Sequence, residues 1–115
     1  VNIASVGAYM SYTPDLAQIV PYTPSKPAVV HRTSDQAAQW AQHGIRVNAI
    51  APANIETGLT ETLTDEAQQR VLSRMLLRRF ARPVEIAGTV ALLASPAGGF
   101  VTGETIVLGG GHSLA

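Results

Sequence analysis

Gly44-Ile45-Arg46-Val47-Asn48-Ala49-Ile50-Ala51-Pro52 is the stretch on which the fold turns. Ile45 to Ala51 reads as a strand, and Pro52 ends it. Upstream, Val30, Thr33, Ala37, Trp40 and Ala41 recur near a 3.6-residue period, so a helix runs to about His43. Gly44 stands where a helix C-terminal glycine belongs. Working outward, Val1 to Ala4 is a short apolar run suited to a strand, and residues 7–21 form a loop with Pro14, Asp15 and Pro21. Residues 53–64 form a second loop. Asp65 to Arg79 reads as a helix, with Thr64 as its cap and two acids in its first turn. Pro83 opens another helix at the position that tolerates proline, and this helix runs to about Ala94. Glu104 to Leu108 is a last strand, and Gly109 to Gly111 turn into the tail. Strands alternating with helices predict an α/β fold with a parallel sheet.

Composition narrows the function. The chain has 115 residues, 46% hydrophobic and 14% charged, enough to bury a core. Eight basic residues balance eight acidic ones, so no basic footprint points to nucleic acid. No apolar run approaches the roughly 20 residues of a membrane span, and no signal-peptide pattern is present. There is no cysteine, which excludes disulfides and thiolate metal sites and fits a cytoplasmic setting. His31, His43 and His112 show no metal spacing, so no metal site is expected. Arg70, Arg74, Arg78, Arg79 and Arg82 form a basic edge, read as a solvated face or as ion-pair partners for Glu61, Asp65 and Glu66. Trp40 is read as core or interface.

Three strands make a small sheet, and a parallel sheet needs both faces covered. Ile86, Ala87, Val90, Ala91, Leu93 and Ala94 go most of the way round their helix, which suits burial on several sides. The sequence opens inside a strand, with Val1 rather than Met. The expectation is that further strands upstream, or a partner subunit, complete the core.

The chemistry centres on Tyr22 and Lys26. Lys26 is the only lysine, and it follows Tyr22 by one helical turn. An ammonium beside a phenol favours the phenolate, which equips the tyrosine for general acid–base work. Taken alone, Tyr-x-x-x-Lys also fits a surface pair on a helix. Pro24 and Pro27 bear on the pairing: if the helix began only at Lys26 or Pro27, Tyr22 would lie outside it. The expectation is a tight first turn that keeps the two side chains together. Ser5 ends the first strand, and a hydroxyl at a strand's C-terminal end faces the crevice where α/β folds bind ligands.

Val1-Asn2-Ile3-Ala4-Ser5, Tyr22-Thr23-Pro24-Ser25-Lys26, the 44–52 stretch, Arg82-Pro83-Val84-Glu85-Ile86-Ala87 and Thr102-Gly103-Glu104-Thr105-Ile106 stand in one order. Together they resemble the second half of the short-chain dehydrogenase/reductase family over essentially the whole chain. The resemblance implies a partial Rossmann-like doubly wound parallel sheet, the C-terminal half of a single domain over residues 1–115, with about three strands and three to four helices. The N-terminal cofactor-binding half, with its glycine-rich turn, its Asn-Asn-Ala-Gly segment and the family's catalytic asparagine, would lie upstream. It further implies an NAD- or NADP-dependent oxidoreductase that interconverts a secondary alcohol and a ketone by hydride transfer. Ser5 would hydrogen-bond the substrate oxygen, and Tyr22 would move the proton. Lys26 would support the phenolate and hold the nicotinamide ribose. Pro52, Ile55 and Thr57 would lie beside the nicotinamide. Residues 53–79 would form a lid that selects the substrate, with polyols and 3-oxoacyl thioesters both open. The intact protein would be a homo-oligomer, a dimer or tetramer. An insertion is expected around Tyr12-Thr13-Pro14-Asp15, and Pro52-Ala53 replaces the family's Pro-Gly. The alternative is a non-enzymatic remnant that serves as an oligomerisation or interaction module.

Overall fold

The computed structural model describes residues 1–12 and 21–114, the side chain at 59 excepted. Three parallel strands, β1 (Asn2–Ile3), β2 (Ala49–Pro52) and β3 (Thr105–Leu108), form one sheet in that spatial order. Asn2 pairs with Ala49, and Ala49 with Thr105. Parallel neighbours need long crossovers. The helix α1 (Tyr22–Trp40) lies between β1 and β2 in the chain, and α2 (Gly58–Glu61), α3 (Asp65–Ser73) and α4 (Pro83–Ala94) lie between β2 and β3. This is the α/β architecture expected.

β2 is the centre of the molecule. All four of its residues are buried, as small and branched apolar side chains between two neighbouring strands should be. α1 packs on β1 and β2, and α4 packs on β2. Asn2 faces α1, where its Nδ2 donates to Thr33 Oγ1 at 3.1 Å and Gln36 Oε1 at 3.3 Å. Ile3 faces the opposite side by the alternation of a strand and is 63% exposed.

Helix ends follow local chemistry. α1 is followed by a 3-10 turn, Ala41–His43, and Gly44 then takes φ +71°, the left-handed glycine expected there. Thr64 caps α3 by accepting from the Ala67 N–H at 3.3 Å. Pro83 opens α4. The 44–52 stretch is pinned mainly by side chains. The Arg46 guanidinium donates to the carbonyls of Leu93 (2.9 Å), Gly98 (2.7 Å) and Val101 (3.1 Å). A cation there suits the negative end of α4. Asn48 Nδ2 donates to Val101 O at 2.7 Å, and its Oδ1 accepts from the Glu104 N–H at 3.1 Å.

Several boundaries differ from expectation. The helix expected over 65–79 stops at Ser73, because the chain beyond it has tertiary partners: Leu77 N–H donates to Gly110 O at 3.1 Å, and Arg78 takes φ +53°. The loop expected over 53–64 contains the four-residue α2, and that expected over 7–21 begins with a 3-10 turn, Val6–Ala8. Of the periodic set on α1, Thr33 and Ala37 are buried, while Trp40 and Ala41 are exposed. On α4 only Leu93 is buried. The insertion around Tyr12-Thr13-Pro14-Asp15 lies, except for Tyr12, outside the described residues. No helix among the described residues is long and apolar enough to cross a membrane.

Candidate active site

Ser5 leaves β1 directly into the Val6–Ala8 turn and caps it. Its Oγ accepts from the Gly7 N–H at 3.2 Å, and the residue is buried. Hydroxyls at such N-caps are favoured because they satisfy a free backbone donor. The chain therefore holds the Ser5 hydroxyl at the C-terminal end of β1.

Tyr22 is the first residue of α1, and Lys26 lies one turn on. Lys26 Nζ sits 4.9 Å from the centroid of the Tyr22 ring. That is cation–π range, and the two side chains share one face. Pro24 lies in the first turn and Pro27 inside the helix, yet α1 begins early enough to include Tyr22. Lys26 Nζ also donates to the Ile3 carbonyl at 3.4 Å. Asn2 and Ala4 give their N–H groups to β2, so the polar groups of Ile3 point to the other side of β1. The lysine thus reaches the edge of the sheet next to Ser5. Tyr22 is partly exposed at 39%, open to a ligand from solvent.

A second phenol belongs to this site. Tyr12 is half-buried close to Ser5: a Cβ on Gly7 would stand 3.5 Å from Tyr12 Oη and 3.6 Å from Ser5 Oγ. Burial pushes its phenol above the usual tyrosine range, and repulsion from Tyr22 adds to this while the Ser5 hydrogen bond opposes it. Periodicity and strand-end reasoning do not find Tyr12. The signal was Gly7, whose missing side chain leaves room for the ring.

The residues read as cofactor neighbours lie on one segment after β2. Pro52 ends the strand and is buried. Ile55 forms a parallel bridge with Ala81. Thr57 caps α2, with its N–H donating to Thr60 Oγ1 at 3.0 Å. A separate cavity of about 220 Å³ lies beyond β3, lined in part by Met75, Leu77, Ile86, Leu108 and Gly109. None of Ser5, Tyr22 or Lys26 lines it. The basic edge pairs differently from expectation: Arg79 holds Glu85 through two bonds of 2.7 and 2.8 Å, and no ion pair to Glu61, Asp65 or Glu66 occurs among the described residues. Among these residues no cluster of His, Asp or Glu could hold a metal. His112 is buried with neither ring nitrogen partnered; burial, then Arg74, lowers its pKa.

A parallel α/β sheet with a strand-end serine and a tyrosine–lysine pair one helical turn apart defines a Rossmann-like protein with a polar site at the strand ends. Comparison with known proteins agrees. Residues 1–113 match the family model described as Enoyl-(Acyl carrier protein) reductase. The 3-oxoacyl-(acyl-carrier-protein) reductase FabG of Thermotoga maritima is 43% identical over 90 residues, 78% of this chain and 37% of its own length. Dehydrogenase/reductase SDR family member 4 of Sus scrofa is 39% identical over 111 residues, 95% of this chain and 38% of its own. Among solved structures, 4-hydroxyisoleucine dehydrogenase complexed with NADH superposes with a TM-score of 0.91 at 30% identity, covering 99% of this chain and 46% of that one. A gluconate 5-dehydrogenase from Burkholderia cenocepacia, in complex with NADP and tartrate, gives 0.89 at 33% identity, covering 99% and 44%. The chain belongs to the short-chain dehydrogenase/reductase family. It spans a little over a third of the length of these two curated relatives.

Proposed function

We propose that the intact protein containing this chain is an NAD(P)-dependent oxidoreductase that interconverts a secondary alcohol and a ketone, and that residues 1–115 form the C-terminal, catalytic half of its domain. The observation that carries this reading is Lys26 Nζ, 4.9 Å from the Tyr22 ring beside the strand that ends in Ser5. Tyr22 gives its proton to the substrate oxygen during reduction and takes it back during oxidation. Lys26 sets a positive charge beside the Tyr22 ring, where it attracts the negative charge that builds on the phenol oxygen as the proton leaves. Ser5 donates to the substrate oxygen and stabilises charge that builds there.

The residues present fit one end of a dinucleotide. An ammonium has three N–H donors, and one of those on Lys26 goes to Ile3 O, leaving donors for a ribose. With Lys26, Tyr22 and the Pro52, Ile55 and Thr57 segment would hold that end, where the nicotinamide, when bound, supplies or takes up the hydride. Among the described residues nothing comparable serves the pyrophosphate. A Cβ on Gly111 would stand 2.6 Å from the Leu76 side chain, so the glycine run is packed rather than open, and it opens no α-helix. NADH and NADP both remain within the reading, as does a homo-oligomer that covers exposed Val84, Leu92 and Phe100.

The test is turnover by the intact natural protein against a panel of polyols and β-keto esters with each nicotinamide. Tyr22→Phe should lower kcat at least about a hundredfold, and Ser5→Ala should also lower it, with both proteins folded. No turnover by the wild type on any panel member, with the protein instead assembling through these surfaces, favours the interaction-module reading.

A further inference from the structure

Tyr22 and Lys26 ride on α1, whereas Ser5 ends β1, so the three groups meet only if the helix is turned correctly toward the strand. Packing alone sets that turn weakly. The buried residues of α1 are Thr33 and Ala37, and neither is bulky enough to lock a helix by interdigitation. A polar tie supplies the missing constraint. Thr33 is fully buried. Lys26 and Thr33 stand seven residues apart, close to two turns of 3.6 residues, and Tyr22 is one turn before Lys26. Tyr22, Lys26 and Thr33 therefore lie along one line of the helix. At one end of that line Thr33 meets the side chain of Asn2, three residues before Ser5. Toward the other, Lys26 Nζ meets the Ile3 carbonyl at 3.4 Å.

The tie has a fixed polarity. Thr33 gives its only hydroxyl proton to the Val29 carbonyl one turn back, at 2.8 Å. Its oxygen can then only accept. Gln36 Oε1 is an acceptor too. The group between them needs two protons, which an asparagine Nδ2 carries and a hydroxyl or carboxylate does not. Asn2 Nδ2 serves both, at 3.1 Å and 3.3 Å.

We propose that Asn2 is a positioning residue for the reaction: by donating to Thr33 and Gln36 it sets the rotation of α1 on β1 and so brings Tyr22 and Lys26 to Ser5. This rests on the roles given above to those three residues. Placement can be separated from folding here. Exchanging both partners of a buried hydrogen bond for apolar groups of the same shape is close to neutral for stability, whereas exchanging one is costly.

Two measurements on the intact natural protein test this, in Asn2→Leu, Thr33→Val and the double variant. Each single variant should lower the urea midpoint, and the double variant should recover most of it. In the first measurement, 3-fluorotyrosine is placed at position 22 and followed by ¹⁹F NMR. Its signal should shift or broaden in the double variant, and an unmoved signal overturns the proposal whatever the enzyme does. In the second, reduction of ethyl acetoacetate is followed. The double variant should lose about tenfold to a hundredfold in kcat with KM within about twofold. A kcat that recovers together with the urea midpoint overturns the proposal, because the tie then serves stability alone. Thr33→Ser, which keeps the accepting oxygen, should lose less kcat than Thr33→Val, and equal losses also overturn it. Full activity of Tyr22→Phe instead overturns the catalytic reading and leaves the fluorine result standing. If ethyl acetoacetate is not turned over, the fluorine result decides alone.

Discussion

Gly98 shows how little room some positions leave. A Cβ there would stand 2.5 Å from the Leu92 carbonyl oxygen and 3.1 Å from Leu93 Cα. Both atoms are backbone and cannot swing aside. Gly98→Ala should therefore destabilise the protein by about 2 kcal/mol, seen as a lower urea midpoint with an unchanged slope. Arg46 donates to Gly98 O at 2.7 Å, so this turn and the 44–52 stretch support each other. At the residue scale, the sequence exposes some roles and hides others. Tyr22 and Lys26 are legible because helical spacing alone brings them together, and Ser5 because it ends a strand. Tyr12 is not legible, because a loop with no period delivers it to Ser5. Arg46 and Asn48 are visible as part of a motif, yet their carbonyl partners at 93–101 become neighbours only once the chain folds back.

The start of α4 is held by one carboxylate. Glu85 accepts from the Arg82 N–H at 2.7 Å and pairs with Arg79. The Arg79 hydrogen bonds, and then the Arg82 N–H, hold the Glu85 carboxyl down from its ordinary 4.5 to about 2. A carboxylate more acidic when folded than when unfolded adds stability above its unfolded value and loses it on the way down. The stability difference between wild type and Glu85→Gln should thus be constant above about pH 5 and shrink between about pH 4.5 and 2. Denaturant midpoints across that range measure it. The pair is exposed, so the difference should be small. Element by element, Pro83 to Ala94 was legible because proline starts that helix and apolar spacing carries it. The end of α3 was not, because the partner of Leu77 is the distant Gly110. Four-residue α2 is too short to show a period. β2 begins only at Ala49: Val47 O accepts from the Gly103 N–H at 2.7 Å, and Asn48, whose carbonyl accepts from the Asn2 N–H, turns its side chain to the 101–104 loop.

Across the whole molecule, the sheet is closed unevenly. β2 is covered on both sides by neighbours, while β1 has Ile3 63% exposed and its outer polar groups turned from β2. Open strand edges of this kind invite another strand, and in the proposed reading the cofactor-binding half fills this one. The 115-residue chain by itself should then bind NADH or NADPH with a Kd weaker than about 1 mM, while the intact natural protein binds one of them tightly. Fluorescence titration of both samples checks this, and micromolar saturable binding by the short chain contradicts it. The order of the strands also sets a timetable. β2, all four of whose residues are buried, needs β3, made after it and after the helices α2 to α4, before its second edge is satisfied. Pairings between segments so far apart form slowly. During synthesis the centre of the sheet therefore waits, sticky and half-dressed, until residues 105–108 arrive.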